Sequence, residues 1–100
     1  MANHLFDLTG QVALVTGSSR GIGKAIAEQM SVAGAKVVIS SRKQDACDAV
    51  RDQINASGGE AISITCNIGN KQEVEHLVKA TMEHLGRIDI RIDSTKFRCS

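Results

Sequence analysis

Residues 12–23 read Val12-Ala13-Leu14-Val15-Thr16-Gly17-Ser18-Ser19-Arg20-Gly21-Ile22-Gly23. The unbroken apolar run Val12 to Val15 ends in turn-forming residues, as a strand covered on both faces does. Helical spacing then takes over through Ile22, Ile26, Met30 and Ala33, and Gly34 stands where a helix C-cap glycine belongs. The glycines therefore fall where a strand hands over to a helix. At such a point unpaired N–H groups and the positive end of the helix dipole meet an approaching phosphate. Gly17 permits the tight turn off the strand, and glycine at 21 and 23 lets the backbone come close to the ligand. Ser18 and Ser19 can add hydroxyl donors, and Arg20 adds charge. The bland alternative is an ordinary flexible β-to-α turn rich in glycine. A buried-type strand before it, a helix after it and a βαβ frame of about 30 residues favour the phosphate cradle.

Working outward, the same alternation repeats. Lys36-Val37-Val38-Ile39-Ser40 is a second β-branched run. Cys47, Val50 and Ile54 form one stripe of a second helix, with Asp45, Asp48, Arg51 and Asp52 mostly off it and Ser57-Gly58-Gly59 closing it. Glu60 to Cys66 alternates through Ile62 and Ile64 as a third strand. Asn70, with Glu73 three places on, resembles a capping box, and Val74, Leu77, Val78 and Leu85 line one face of a third helix up to Gly86. Ile88, Ile90 and Ile92 begin a fourth strand. Strands and helices in this order predict an α/β fold with a parallel sheet of about four strands joined by right-handed crossovers. The first two helices are expected on one sheet face and the third on part of the other. Ligands of such sheets bind outside the carboxyl ends of the strands, where the opening glycines lie.

Composition narrows the classes further. One hundred residues make one domain at most, near the lower end of what buries a self-sufficient core. With 42% apolar and 23% charged residues the chain reads as globular, and a net charge of +1 gives no broad field for nucleic acid or an anionic membrane. Cys47, Cys66 and Cys99 are odd in number, without C-x-x-C spacing or a histidine at a metal-ligand offset, so reduced packed thiols are expected rather than disulfides or a metal site. His4, His76 and His84 read as solvated surface histidines, and Met30 and Met82 as core filler. No apolar run approaches the roughly 18 residues of a membrane span, and no secretory leader is evident, which predicts a cytoplasmic protein.

The stretch TGSSRGIG matches the TGxxxGIG motif of the short-chain dehydrogenase/reductase family, and the resemblance extends from about Leu8 to Ile90. GQVALVTG, GAKVVISSRK and GRIDI look like that family's first strand, second strand and approach to the fourth; SSRKQ and CNIG look most like its carbonyl-reducing branch. The resemblance implies a partial Rossmann fold, βαβαβαβ, in which residues 1–90 form the NADP-binding part. NAD-binding relatives carry an acidic residue near the end of the second strand, which holds the ribose hydroxyls and repels a 2′-phosphate. Here that end reads Ile39-Ser40-Ser41-Arg42-Lys43, with no carboxylate between Glu28 and Asp45. Arg42, with Ser41 beside it, can instead meet a 2′-phosphate in a charge-assisted contact, so NADP(H) is favoured over NAD(H). The alternative is that Arg42 and Lys43 simply solvate the start of the second helix. The family's acidic-then-apolar pair after the third strand contacts adenine; Asn67 and Ile68 stand there in this chain. The implied cofactor contacts are thus Gly17, Ser18, Ser19, Arg20, Gly21, Ile22, Gly23, Ser41, Arg42, Asn67 and Ile68.

After Ile90 the family continues into an Asn-Ala-Gly segment, whereas this chain reads Arg91-Ile92-Asp93-Ser94-Thr95-Lys96-Phe97-Arg98-Cys99-Ser100. Residues 91–100 are therefore expected to be a divergent tail, with the C-terminal half of the family fold missing. Hydride transfer in the family uses a Tyr as general acid/base, tuned by a Lys four residues later, and a Ser that orients the carbonyl. The chain contains no tyrosine. The expectation is an NADP(H)-dependent carbonyl/alcohol oxidoreductase in a form that lacks its catalytic Ser-Tyr-Lys part, with no catalytic residue and no metal assigned. The alternatives are a non-catalytic nucleotide-binding or oligomerising fragment, associating through an exposed sheet face or edge, and a non-functional short product.

Overall fold

The structure, a computed structural model, describes residues 7–17, 21–67 and 69–93. Two runs rich in β-branched residues form β1 (Val12–Thr16) and β2 (Lys36–Ser40); the shorter β3 (Glu60–Ser63) and β4 (Ile90–Asp93) follow. Between them lie α1 (Gly21–Val32), α2 (Gln44–Ala56) and α3 (Lys71–Leu85). The strands form one parallel sheet in the order β3-β2-β1-β4. Thr16 stands level with Ser40 on one side and Asp93 on the other, so the carboxyl ends of β2, β1 and β4 finish together.

Right-handed crossovers decide which helix covers which face. The chain steps outward from β1 to β3, placing α1 and α2 on one face, and then returns past β1, placing α3 on the other. Val15, Val37 and Ile39 accordingly pack with Ala27 of α1 and with Cys47, Val50 and Ile54 of α2. Their neighbours in the strands, Leu14 and Val38, point the opposite way and pack with Leu77 of α3 and with Cys66. Burial on both faces is why β1 carries an apolar run without alternation. The α2 stripe is as the spacing predicts, and Val74, Val78 and Leu85 flank Leu77 as half-buried supports.

Three details differ from expectation. Ile22 was expected on the buried stripe of α1, yet it is 55% exposed, and Gly23 and Ala27 are the buried positions, with Ile26 and Met30 packed beside them. The buried seam of α1 is built from small residues, which set the helix close to the sheet, and this turns Ile22 outward. Met82 is 44% exposed and fills no core. The third strand stops at Ser63 and not at Cys66; β2 ends at Ser40, so beyond it only single contacts remain, Ile64 N–H to Ile39 O at 3.0 Å and Cys66 N–H to Ser41 O at 2.9 Å.

The helix ends behave as their sequences suggest. Gly34, at φ +105°, closes α1 with its N–H on Ser31 O and the Ala35 N–H on Met30 O, the paired bonds of a Schellman motif. Asn70 caps α3 by accepting the Glu73 N–H at 3.1 Å. The expected box is not closed, because Glu73 does not return to Asn70: its Oε1 accepts the Asn67 N–H at 2.9 Å, three residues further back. Thr81, fully buried on α3, went unnoticed in the sequence; its hydroxyl donates to Leu77 O at 2.9 Å, satisfying a polar group that faces the core.

Candidate functional site

The sheet reverses its direction of travel between β1 and β4, and a crevice outside the carboxyl ends of the strands forms at such a switch point. Gly17 follows β1 directly and takes φ +69°; Gly21 opens α1 at φ +64°. Both conformations are costly for residues with a Cβ, so glycine is needed there for the backbone path itself. A Cβ built on Gly21 would touch no atom within 4 Å, which leaves the start of α1 open to an approaching group. The first turn of α1 holds no acidic side chain, so no carboxylate of its own offsets the positive helix end. Ile22 lies exposed beside this turn, and Gly23 is buried in the helix. Ser18, Ser19 and Arg20 fall outside the described residues, as do Ile68, His4, Cys99 and the tail from Ser94.

Level with the end of β1, the chain leaves β2 through Ser41 and Arg42. Ser41 is fixed at several points: its Oγ accepts the Lys43 N–H at 3.3 Å and lies 3.1 Å from Cys47 Sγ, and its carbonyl accepts the Cys66 N–H. Arg42 projects from this anchored turn into solvent, with no hydrogen bond or ion pair among the described residues. Lys43 precedes α2 and gives it no side-chain cap. The expected sites thus converge from separate loops at one end of the sheet: Gly17 and Gly21 to Gly23 from the first, Ser41 and Arg42 from the second, Asn67 from the third. Asn67 is exposed and shapes its own loop, its Oδ1 accepting the Gly69 N–H at 2.9 Å.

Cys66 lies at the same end but offers no nucleophile. It is 2% exposed, and burial, reinforced by the nearby Glu73 carboxylate, pushes its thiol above the ordinary range. Cys47 is likewise buried, and His76 and His84 sit in solvent on α3. No group of three or more metal-ligating side chains occurs among the described residues, and no described helix is long and apolar enough to cross a membrane. Two shallow concavities, of about 190 and 410 Å³, lie at the amino ends of the strands, among Lys36, Asn55 and Glu60 and among Glu28, Ser31 and Gln53. They are on the wrong side of the sheet for the chemistry assembled at the carboxyl ends.

The profile of the short chain dehydrogenase family matches residues 11–95. The chain belongs to that family. It is 48% identical over 88 residues to a 3-oxoacyl-[acyl-carrier-protein] reductase of Synechocystis sp., covering 87% of this chain and 36% of the relative. A versicolorin reductase of Emericella nidulans is 43% identical over 86 residues, 85% of this chain and 33% of that protein. Among solved structures, a hydroxysteroid dehydrogenase from Escherichia coli superposes with a TM-score of 0.86 at 39% identity, over 88% of this chain and 37% of that one. A metagenomic short-chain oxidoreductase in complex with NADP superposes with a TM-score of 0.81 at 40% identity, over 85% and 38% of the two chains. The chain therefore spans about a third of the length of the relatives it matches. What this third contains is an α/β, Rossmann-type half sheet of an oxidoreductase family.

Proposed function

We propose that residues 1–90 are the NADP(H)-binding part of a carbonyl/alcohol oxidoreductase. The observation that carries this is the pairing of an open, carboxylate-free helix start at Gly21 with an uncommitted Arg42 on the adjoining strand end. Gly17 to Gly23, with Ser18, Ser19 and Arg20 among them, hold the pyrophosphate through backbone N–H groups. Ser41 and Arg42 hold the 2′-phosphate, where an acidic side chain would have repelled it. Asn67 and Ile68 flank the adenine. The bound nicotinamide supplies the hydride; the chain's own residues only bind and orient it. Support for NADP(H) over NAD(H) comes from the basic strand end and from the NADP complex of the metagenomic relative.

No tyrosine occurs in these 100 residues, so the proton donor that the resemblance calls for is not among them. We therefore assign binding without turnover to this stretch. No cofactor contact is assigned to residues 91–100, of which 91–93 complete β4. A cytoplasmic location, and association through an exposed sheet face or edge, belong to the same proposal.

Fluorescence titration of the 100-residue chain with NADPH and NADH tests it. Saturable binding that favours NADPH by about tenfold or more, and an Arg42→Ala variant that loses this preference while keeping its affinity for NADH, are the expected results. Equal affinity for both cofactors would refute the 2′-phosphate site. Measurable ketone reduction by the purified chain would refute the assignment of binding without turnover.

A further inference from the structure

The two edges of the sheet are finished differently. Lys36 N–H donates to Gln11 O at 2.9 Å, so Gln11, Ala13 and Val15 turn their main-chain groups toward β2, and Val12, Leu14 and Thr16 turn theirs toward β4. Leu14 stands level with Arg91, and in a parallel ladder it bonds the residues on either side, Ile90 and Ile92. The N–H and C=O of Arg91 therefore point away from the sheet, with no partner among the described residues. The main chain of Asp93, two places on, shares that direction. At the opposite edge the outward residue of β3 is Ala61, and its N–H and C=O are both taken by the Asn55 amide of α2, at 2.8 and 3.2 Å. Beside it Asp48 and Arg51 hold the Ser63 hydroxyl at 2.7 and 3.1 Å. Side chains of α2 thus close the β3 edge, whereas the β4 edge is bare among the described residues.

We infer that β4 is the joining edge between two copies of this chain, paired antiparallel about a two-fold axis at Ile92. The inference rests on the proposed association through a sheet edge and names its partner as a second copy. Only residues with outward main-chain groups can exchange hydrogen bonds across such a join, which leaves few registers. An axis at Arg91 or at Asp93 sets like charges directly opposite each other, which is unfavourable. An axis further back, at Ile90, would need the Asp89 N–H, which is already on Val12 O. An axis at Ile92 sets Arg91 of each copy opposite Asp93 of the other, so both hydrogen-bonded pairs carry opposite charges. Ile92 then meets Ile92 of the other copy in the closer, non-hydrogen-bonded pair, on the face where it packs against the core beneath α1. Because α2 closes the β3 edge, the sheet joins two copies and grows no further.

The experiment is sedimentation of the 100-residue chain at low salt over about 1–300 µM, since joins this small are weak and charge pairs are screened. A monomer–dimer equilibrium without larger species is expected. Arg91→Asp and Asp93→Arg each put like charges across the join and should weaken it by about tenfold or more. An equimolar mixture of those two variants restores opposite charges at both pairs and should form a heterodimer within about threefold of the wild-type constant. Arg91→Pro loses an N–H that β1 does not use, so at dilute concentration it should melt like the wild type and stay monomeric at high concentration. A wild type that stays monomeric, a constant that neither reversal moves, or folded variants that do not associate on mixing would each overturn the inference. NADPH titration of the same samples reads the cofactor site separately, because neither Arg91 nor Asp93 is assigned a cofactor contact. Saturable NADPH binding by a wild type that stays monomeric would leave that site standing without the join.

Discussion

The Asp89 carboxylate accepts the N–H of Val12 at 2.8 Å across 77 residues of sequence, while the Asp89 N–H donates to the Val12 carbonyl at 2.9 Å. Asp89 thus completes the amino end of β1, whose first residue is 2% exposed and whose N–H would otherwise be buried without a partner. Its other oxygen accepts from Arg87 Nε at 3.1 Å and Nη2 at 2.7 Å.

These contacts make an acid-side prediction. The Arg87 hydrogen bonds, and then the Val12 N–H, hold the Asp89 carboxyl below its usual value of 3.8. A group whose pKa is depressed by folding adds stability above its unfolded pKa, and that stability is lost as pH falls through the folded value. Thermal melts between pH 6 and pH 2 should therefore show the wild type losing stability below about pH 4, the ordinary aspartate range. Asp89→Asn, which cannot titrate, should melt lower than wild type at pH 6 and depend less on pH below 4. Parallel pH profiles for the two proteins would show that the clamp is not what the acid breaks.

On the second sheet face, one side chain does most of the anchoring. Leu77 is 1% exposed and packs with Leu14, Val38 and Cys66, whereas its helical neighbours Val74, Val78 and Leu85 are only half-buried. Leu77→Ala should cost about 2–5 kcal/mol through the cavity it leaves. That is a large share of a small domain's total stability of about 5–15 kcal/mol. Urea unfolding with an unchanged slope and a lowered midpoint is the expected record. A loss below about 0.5 kcal/mol, the range of surface substitutions, would mean that α3 is not docked through Leu77.

The strands and helices were legible because burial on two faces leaves an apolar run such as Val12 to Val15, and burial on one face leaves a stripe such as Cys47, Val50 and Ile54. The glycine turn was legible for a stronger reason: only glycine takes the positive φ found at Gly17 and Gly21 at little cost. What escaped the sequence depends on contacts between distant residues. Nothing local marks Asp89 as the partner of Val12. The Asn70 and Glu73 spacing did announce a cap, but the same spacing could not tell whether the Glu73 carboxylate would return to Asn70 or, as it does, to Asn67. Arg42 is the converse case: the proposal that it meets a phosphate rests on a carboxylate that the resemblance expects and the sequence lacks.

The swap of roles in α1 gives the last prediction. Apolar spacing counts Ile22 and Ile26 as equals, but at 55% exposure Ile22 contributes little to the core, and the fully buried Ala27 fits against the sheet because it is small. Ile22→Ser should leave unfolding free energy within about 0.5 kcal/mol of wild type. Ala27→Leu, by contrast, must push α1 off β1 and β2 and should cost about 1–3 kcal/mol. Since Ile22 adjoins the proposed pyrophosphate turn, its substitution should register in NADPH titration rather than in the melt, and Ala27→Leu should register in both. An Ile22→Ser variant destabilised as strongly as Ala27→Leu would place Ile22 back in the core and would contradict the outward setting of the helix start.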